Sequence, residues 1–281
     1  MLMDAFERED IDMSSIAEQS LSVLKARAEA NELSEEELNA LGADRRAGAR
    51  KLVALVYKRR VEREREHERL IVMTSFEREL HMQGCQSIAG VDEVGAGPLA
   101  GPVVAGAVVL APGTLMEGVD DSKKLSAPRR AELAARIREE AVSFSVGACT
   151  PLEIDKLNIY QASREAMRRA VEGLEVVPDH LLVDARTVPR VNIAQTPIKK
   201  GDQRSQSIAA ASILAKVYRD ELMEAYARQY PGYGFELHAG YPTPAHLKAL
   251  GQLGPTPIHR QSFGPVQRCV VESGGQRESQ L

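Results

Sequence analysis

The sequence predicts an α/β fold, a central mixed sheet flanked by helices, with a helical and highly charged extension ahead of it. Three observations carry that expectation. Beyond Gly84, strand-like runs alternate with capped helices. The 281 residues include only 5 Phe, 7 Tyr and no Trp, so the core has to be built from Ala, Val, Leu and Ile. Charge in the first 70 residues is laid down in blocks rather than scattered.

Within the expected extension, residues 1–71, the segment 1–42 sets eleven acids against three bases, net −8, whereas 43–70 sets ten bases against five acids, net +5. Glu62, Arg63, Glu64, Arg65 and Glu66 alternate in sign, and Leu52, Leu55, Val56 and Tyr57 can form one apolar stripe. Two readings stay open here: a solvated helix laced with ion pairs, or an auxiliary basic helix, Arg45 to Arg60, that holds a duplex by its phosphates. Runs 87–92, 102–110, 143–149 and 180–184, bounded by Gly or Pro and rich in Val, Ile, Leu and Ala, read as strands. Ser126-Ala127-Pro128 opens a helix with Leu133, Ile137 and Ala141 on one face, and Thr150-Pro151-Leu152-Glu153 is a capping-box start with proline at the first helical position. A third helix runs from about Ser205 to Arg228, where Ala209-Ala210-Ala211-Ser212 allows close packing on a sheet, and a short one lies near Pro244 to Gln252. The polar tail, residues 269–281, is expected to be disordered.

Several function classes drop out. No apolar run is long enough to cross a bilayer and the acidic start is unlike a signal peptide, so a cytoplasmic location is expected. Cys85, Cys149 and Cys269 are odd in number and far apart, which suits reduced thiols better than a disulfide framework or a zinc site. A net charge of −4 argues against a uniformly basic nucleic-acid coat.

The chemistry concentrates in Gly90-Val91-Asp92-Glu93-Val94-Gly95-Ala96-Gly97, where two adjacent carboxylates interrupt small apolar residues. Buried side by side, they cost several kcal/mol unless a cation compensates them. Asp92 closes one strand-like run and Asp184 closes another after Leu181-Leu182-Val183, so neighbouring strands would bring both to one sheet edge. Asp202 precedes a helix that would present its amides to an anion. Successive strand residues face opposite ways, so a strand end or bulge at Asp92 is expected to swing Glu93 back to the same site. Carboxylates of this kind hold hard divalent ions such as Mg²⁺ or Mn²⁺. Ser122, Lys123, Lys124, Lys200 and Ser207 are candidate phosphate contacts. His238, His246 and His259 fit no metal-ligand spacing and read as core or loop residues.

The stretch from Ile88 to Val109 resembles the signature of bacterial ribonuclease HII. Later blocks agree in order: Asp121-Ser122-Lys123-Lys124-Leu125-Ser126, Leu182-Val183-Asp184, Lys200-Gly201-Asp202, Ser207 to Val217, Tyr233-Gly234-Phe235, His238-Ala239-Gly240-Tyr241 and Pro257 to Phe263. The resemblance implies a ribonuclease H-like catalytic domain over residues 72–268, metal-site acids at Asp92, Glu93, Asp184 and Asp202, and ribose recognition by the loop Gly95-Ala96-Gly97 with Tyr241 packing on the neighbouring sugar. It further implies a monomeric endoribonuclease acting on RNA/DNA hybrids and on ribonucleotides embedded in duplex DNA. Two positions depart from the family pattern: Ala96 stands where members usually carry Arg, and Ala239 where Lys is common. Alternatives are a ribonuclease HIII-like nuclease, which typically has a sheet-containing N-terminal domain, and a catalytically silent hybrid-binding protein.

Overall fold

The computed structural model describes residue 16 and residues 18–270, and the chain divides into two compact units, Met1–Glu68 and Arg69–Leu281.

The first unit is helical, as its patterning predicts. Ser20 caps α1 (Leu21–Glu29) and a reciprocal Ser34/Glu37 capping box starts α2 (Glu35–Ala43). The first turns of the long helix α3 (Ala47–Met73) complete it. Leu24, Leu33, Leu38, Leu41, Leu52 and Val56 form a small core of its own. Of the expected stripe only Leu52 and Val56 are inside; Leu55 and Tyr57 are exposed. The acidic and basic blocks meet within the unit where Arg60 pairs with Glu35; Arg63 donates to Asn31 at 2.8 Å, and inside the acidic block Arg27 pairs with Glu37 at 2.7 Å. Arg45, Arg50, Lys51 and Arg59 remain exposed on the same stretch.

The second unit begins with α4 (Ser75–Met82) and is built on a five-stranded mixed sheet in the order β3-β2-β1-β4-β5. Its strands are β1 (Ile88–Val94), β2 (Val103–Val109), β3 (Ser143–Cys149), β4 (His180–Asp184) and β5 (Ala194–Ile198). The three-strand meander is antiparallel, whereas β4 joins β1, and β5 joins β4, in parallel. Strand β5, Ala-Gln-Thr-Pro-Ile, escapes a pattern reading because it is short, polar and holds Pro197, which an edge strand tolerates. On one sheet face lie α6 (Pro151–Leu157) and α7 (Ile159–Glu172), two helices where a single start is legible, because Asn158 at φ 65° ends the first and caps the second. On the other lie α5 (Ala127–Glu140) and the long helix α8 (Gln206–Gln229). Helix α8 packs backbone to backbone on the sheet: a Cβ at Gly90 would come within 2.0 Å of the Ser207 carbonyl carbon, and one at Gly106 within 2.3 Å of the Ala211 oxygen. The short helix α9 (Phe235–His238), helix α10 (Pro244–Leu253) and a helical run at 264–270 follow. Cys269, expected in the tail, is therefore helical and buried; residues 271–281 of that tail lie outside the described residues. The cysteines form no disulfide. Among the described residues no helix is long and apolar enough to cross a membrane.

Candidate active site

Strand parity brings the first two acids together. Ile88, Gly90 and Asp92 alternate onto the α8 face of β1, and Val91 pairs with Val183, so the next step on each strand carries Asp92 and Asp184 past the end of their ladder side by side. Asp92 is 4 % exposed and accepts a hydrogen bond from the Ser212 hydroxyl on α8. The Asp184 carboxylate accepts from the Gly201 amide at 2.6 Å, which ties β4 to the tight 3₁₀ turn Gly201–Gln203. Asp202 sits in that turn, buried, with the Lys123 ammonium 3.7 Å from its carboxylate.

Glu93 reaches the site by neither the strand end nor the bulge expected at Asp92. The β1–β2 register runs unbroken through Asp92–Gly106, Glu93–Ala105 and Val94–Val104. Pairing to β4 stops at Val91, so the β4 side of β1 is open at Glu93, and a side chain longer than Asp by one methylene extends past the strand end toward Arg186, 3.4 Å away.

These charges are mutually hostile. Burial, with the Glu93 and Asp184 charges added, pushes Asp92 well above the usual carboxylate range. Burial pushes Glu93 up to about 7, with the nearby Arg186 opposing and Asp184 reinforcing. Asp202 is raised by burial and by Asp121, against the pull of Lys123. The fit to a cation is chemical: four carboxylates with hard oxygen donors lie within electrostatic reach of one another, and one oxygen, Glu93 Oε2, is buried with no hydrogen-bond partner among the described residues. The donors are not a closed cage. Among the described residues no three His, Cys, Asp or Glu side chains already surround a common point, and Lys123 and Arg186 lean on the acids where an ion's charge would act.

The expected phosphate contacts divide. Lys123, Lys124 and Lys200 are exposed, Lys200 in a left-handed turn at φ 57°. Ser122 is fully buried and its hydroxyl faces Ser212 at 3.0 Å, away from solvent. Ser207 is buried too, and both its amide and its hydroxyl are taken by Glu77 Oε1, at 3.0 and 2.7 Å. The start of α8 is thus capped by the protein's own carboxylate rather than left open for an anion, which corrects the expectation for Ser207 and for the helix start after Asp202. His246 and His259 are buried in an aromatic cluster with Tyr233 and Phe235, and the half-buried His238 stacks on His246, in line with core or loop histidines.

The loop that follows Glu93 is held from beneath. Gly95 has φ 86°, and Gly97 lies so close to Tyr241 that a Cβ there would touch the ring at 3.6 Å. Tyr241 is 42 % exposed and Ala96 half-buried. Under them Arg219 and Arg260, 1 % and 0 % exposed, donate to six backbone carbonyls, those of Gly95, Ala96, Ala100, Gly101, Pro102 and Ala239. Burial pulls both guanidiniums below the ordinary arginine range, Arg260 to about 9, which leaves Arg260 charged at neutral pH. Sequence reasoning missed Asp121, Arg186, Ser212, Arg219 and Arg260. Asp121, Ser212 and Arg260 lie inside motifs that were already legible; Arg186 and Arg219 do not.

A family model described as Ribonuclease HII matches residues 89–266, and one described as Ribonuclease HII N-terminal domain matches residues 20–81. Ribonuclease HII of Myxococcus xanthus is 53% identical over 245 residues, 87% of this chain and 84% of that protein. Among solved structures, ribonuclease H2 from Pyrococcus horikoshii is 28% identical with a TM-score of 0.57, covering 65% of this chain and 96% of that one. A ribonuclease HIII described as Bst-RNase HIII in complex with Mn²⁺ has a TM-score of 0.52 at 20% identity, over 68% of this chain and 71% of its own, and shares the fold.

Proposed function

The chain belongs to the ribonuclease HII family of metal-dependent endoribonucleases, and on that footing we propose that Asp92, Glu93, Asp184 and Asp202 hold its divalent ions and that residues 72–268 carry the catalysis. The observation that carries this reading is the electrostatic coupling of four acids, Asp92, Glu93 and Asp184 beyond the β1–β4 ladder and Asp202 in the turn tied to it, with an orphaned oxygen on Glu93. When bound, two divalent ions activate water and stabilise charge on the phosphoryl and leaving oxygens. We read the ion as Mg²⁺ or Mn²⁺; the Mn²⁺ complex belongs to the ribonuclease HIII, and the all-oxygen donor set here suits both ions.

The protein's own groups do the rest. Ser212 and the Gly201 amide fix the Asp92 and Asp184 carboxylates so that their oxygens need not reorganise when charge arrives. Lys123 and Arg186 offset part of the negative charge while the site waits for substrate. Lys124 and Lys200, exposed, suit phosphates without reading sequence. The substrates proposed are the RNA strand of an RNA/DNA hybrid and a single ribonucleotide in duplex DNA. The cut falls on its 5′ side: water adds to phosphorus, the 3′ oxygen leaves and takes a proton, and 3′-hydroxyl and 5′-phosphate ends remain. The 2′-hydroxyl is the one group that marks a ribonucleotide, and the Gly95-Ala96-Gly97 loop with Tyr241 is proposed to read it. The helical first unit and the match to a ribonuclease HII N-terminal domain favour this over ribonuclease HIII. A cytoplasmic monomer is the proposed working form, in keeping with three cysteines that form no disulfide.

The test is a labelled DNA duplex with one ribonucleotide, beside an all-DNA control, with Mg²⁺, Mn²⁺ or EDTA. Cleavage 5′ of the ribonucleotide, with either ion and not with EDTA, is expected. Cutting of the control, or binding without cleavage, would remove the proposal.

A further inference from the structure

Two arginines with no access to solvent ordinarily answer to buried acids; Arg219 and Arg260 do not. Among the described residues neither makes an ion pair, and their donors go to the carbonyls of the loop 95–102 and to Ala239. Guanidiniums that are 1 % and 0 % exposed cannot touch a substrate, so whatever they do for one is done through the loop.

The peptide geometry shows what that is. In a trans peptide the N–H points opposite to the C=O of the same unit, and no cis bond occurs among the described residues. Arg260 holds the Gly95 oxygen at 2.6 Å and the Ala96 oxygen at 3.0 Å. The N–H groups that share those two peptide units, on Ala96 and Gly97, are therefore turned away from Arg260. Neither amide makes a hydrogen bond among the described residues, whereas the nearby amides of Leu99 and Gly101 donate to Gly240 and Ile258 at 2.8 and 2.9 Å. Two adjacent donors are thus left open beside the half-exposed Tyr241 ring. Arg219 braces the far side of the same loop through Ala100 and Pro102, and its guanidinium carbon lies 6.0 Å from the Tyr241 ring centre. At Gly95, whose φ is 86°, a Cβ would collide with the Arg219 side chain at 2.3 Å, so the loop's conformation and the arginine's place require each other.

We infer that Arg260, supported by Arg219, is a positioning residue for ribose recognition: it pins two carbonyls inward so that the Ala96 and Gly97 amides stand preformed as donors to the 2′-hydroxyl oxygen of the substrate. The inference rests on the proposed ribonucleotide specificity and names the part of the fold that enforces it. A guanidinium suits the task because its rigid fork reaches both carbonyls at once, which a single ammonium cannot do. The arrangement also explains how the loop keeps its shape with alanine at position 96, since the carbonyl, not the side chain, is what is held.

The decisive experiment compares wild type with Arg260→Lys, which keeps the charge and loses the fork. With Ca²⁺ in place of the catalytic ion, affinity is measured for a DNA duplex with one ribonucleotide and for the same duplex made wholly of DNA. The variant's preference for the ribonucleotide should fall about tenfold, while affinity for the all-DNA duplex stays within about twofold. An unchanged preference in a variant that merely melts at lower temperature, or an equal loss on both duplexes, overturns the inference. Amide hydrogen exchange on the unaltered protein supplies a second reading should Arg260→Lys fail to fold: Ala96 and Gly97 should gain protection with the ribonucleotide duplex and not with the all-DNA one, and absence of that difference also overturns it. A wild type with no preference at all would instead bring down the proposed substrate, so the two failures are distinguishable.

Discussion

The acids at the end of the β1–β4 ladder and the arginines under the loop that follows β1 are both largely withdrawn from solvent and oppositely resolved. Burial and the Asp184 charge raise the proton affinity of Asp92, Glu93 and Asp202 with too few donors to offset it, and the oxygen of Glu93 that lacks a hydrogen-bond partner is one sign of it. Arg219 and Arg260 have six carbonyls to themselves and need nothing from outside. A charge cluster left unresolved at a surface edge favours a compensating cation, and one resolved entirely by backbone acts as a scaffold. The first unit gives a third case, acids and bases that pair locally at a helix surface.

Neutralising one acid tests that contrast most severely. Asp92→Asn should lower cleavage by about three orders of magnitude, because an amide is a poor ligand for a divalent ion. Without metal the same variant should melt higher by roughly a few degrees, since a desolvated charge has been removed. Calorimetry and a single-ribonucleotide cleavage assay check both; more than about a tenth of the activity, or a destabilised fold, would count against a cation-seeking cluster.

The histidines beside the arginine scaffold should show the opposite dependence on protons. Burial, with His246 adding to it, pushes His259 down to about 4; its Nδ1 meets Thr256 and its Nε2 lies 3.1 Å from His246. The folded value lies below the unfolded one, so the unfolded chain binds the extra proton between about pH 4 and 6.5. Stability should rise with pH across that window and be lost as pH falls through it, by up to about 3 kcal/mol. Denaturant unfolding of wild type and His259→Gln from pH 4 to 7 reads this, and an equal pH slope in both would show that His259 is not the group responsible.

What was legible in the sequence follows the same division. Strand ends, the Thr150–Glu153 capping box and the juxtaposition of Asp92 with Asp184 come from local periodicity and parity, which short-range physics dictates. Ser207 was misread because its environment is set by Glu77, 130 residues earlier in the chain, and no local rule says that a hydroxyl near a helix start is already taken. The strand end or bulge expected at Asp92 was a solution to a real geometric problem, and β1 running on beside β2 after its pairing to β4 has stopped, with a longer side chain at Glu93, solves it without either. Arginines in the middle of α8 and after His259 look like surface charges until the loop they hold is folded over them.

Removing residues 1–68 asks whether the locally paired charges matter to substrate. Arg45, Arg50, Lys51 and Arg59 are exposed while Arg60 and Arg63 are engaged with Glu35 and Asn31, so only part of the basic block is free to meet phosphate. The truncated enzyme should still cleave, with affinity for a hybrid lowered about tenfold and a salt dependence shallower by roughly one to three units. Filter binding across several salt concentrations decides, and an unchanged slope leaves the ion-paired helix as the full account.

The smallest effect is expected at Ala96, where arginine would add charge directly above the arginine scaffold. The Ala96 carbonyl stays pinned by Arg260, so the backbone donors should be undisturbed. The new guanidinium would project from a half-buried position over two buried cations, Arg219 and Arg260, whose repulsion opposes whatever it gains from a phosphate. A net tightening of about fivefold, ~1 kcal/mol, with a salt slope steeper by about one unit, is the expected balance. The carboxylates are untouched, so the change should appear in affinity and not in the saturated cleavage rate. Binding to a single-ribonucleotide duplex in Ca²⁺ at graded salt measures it. A gain confined to low salt marks a contact at the rim, whereas weaker binding would mean that the buried arginines already supply all the positive charge this loop can bear.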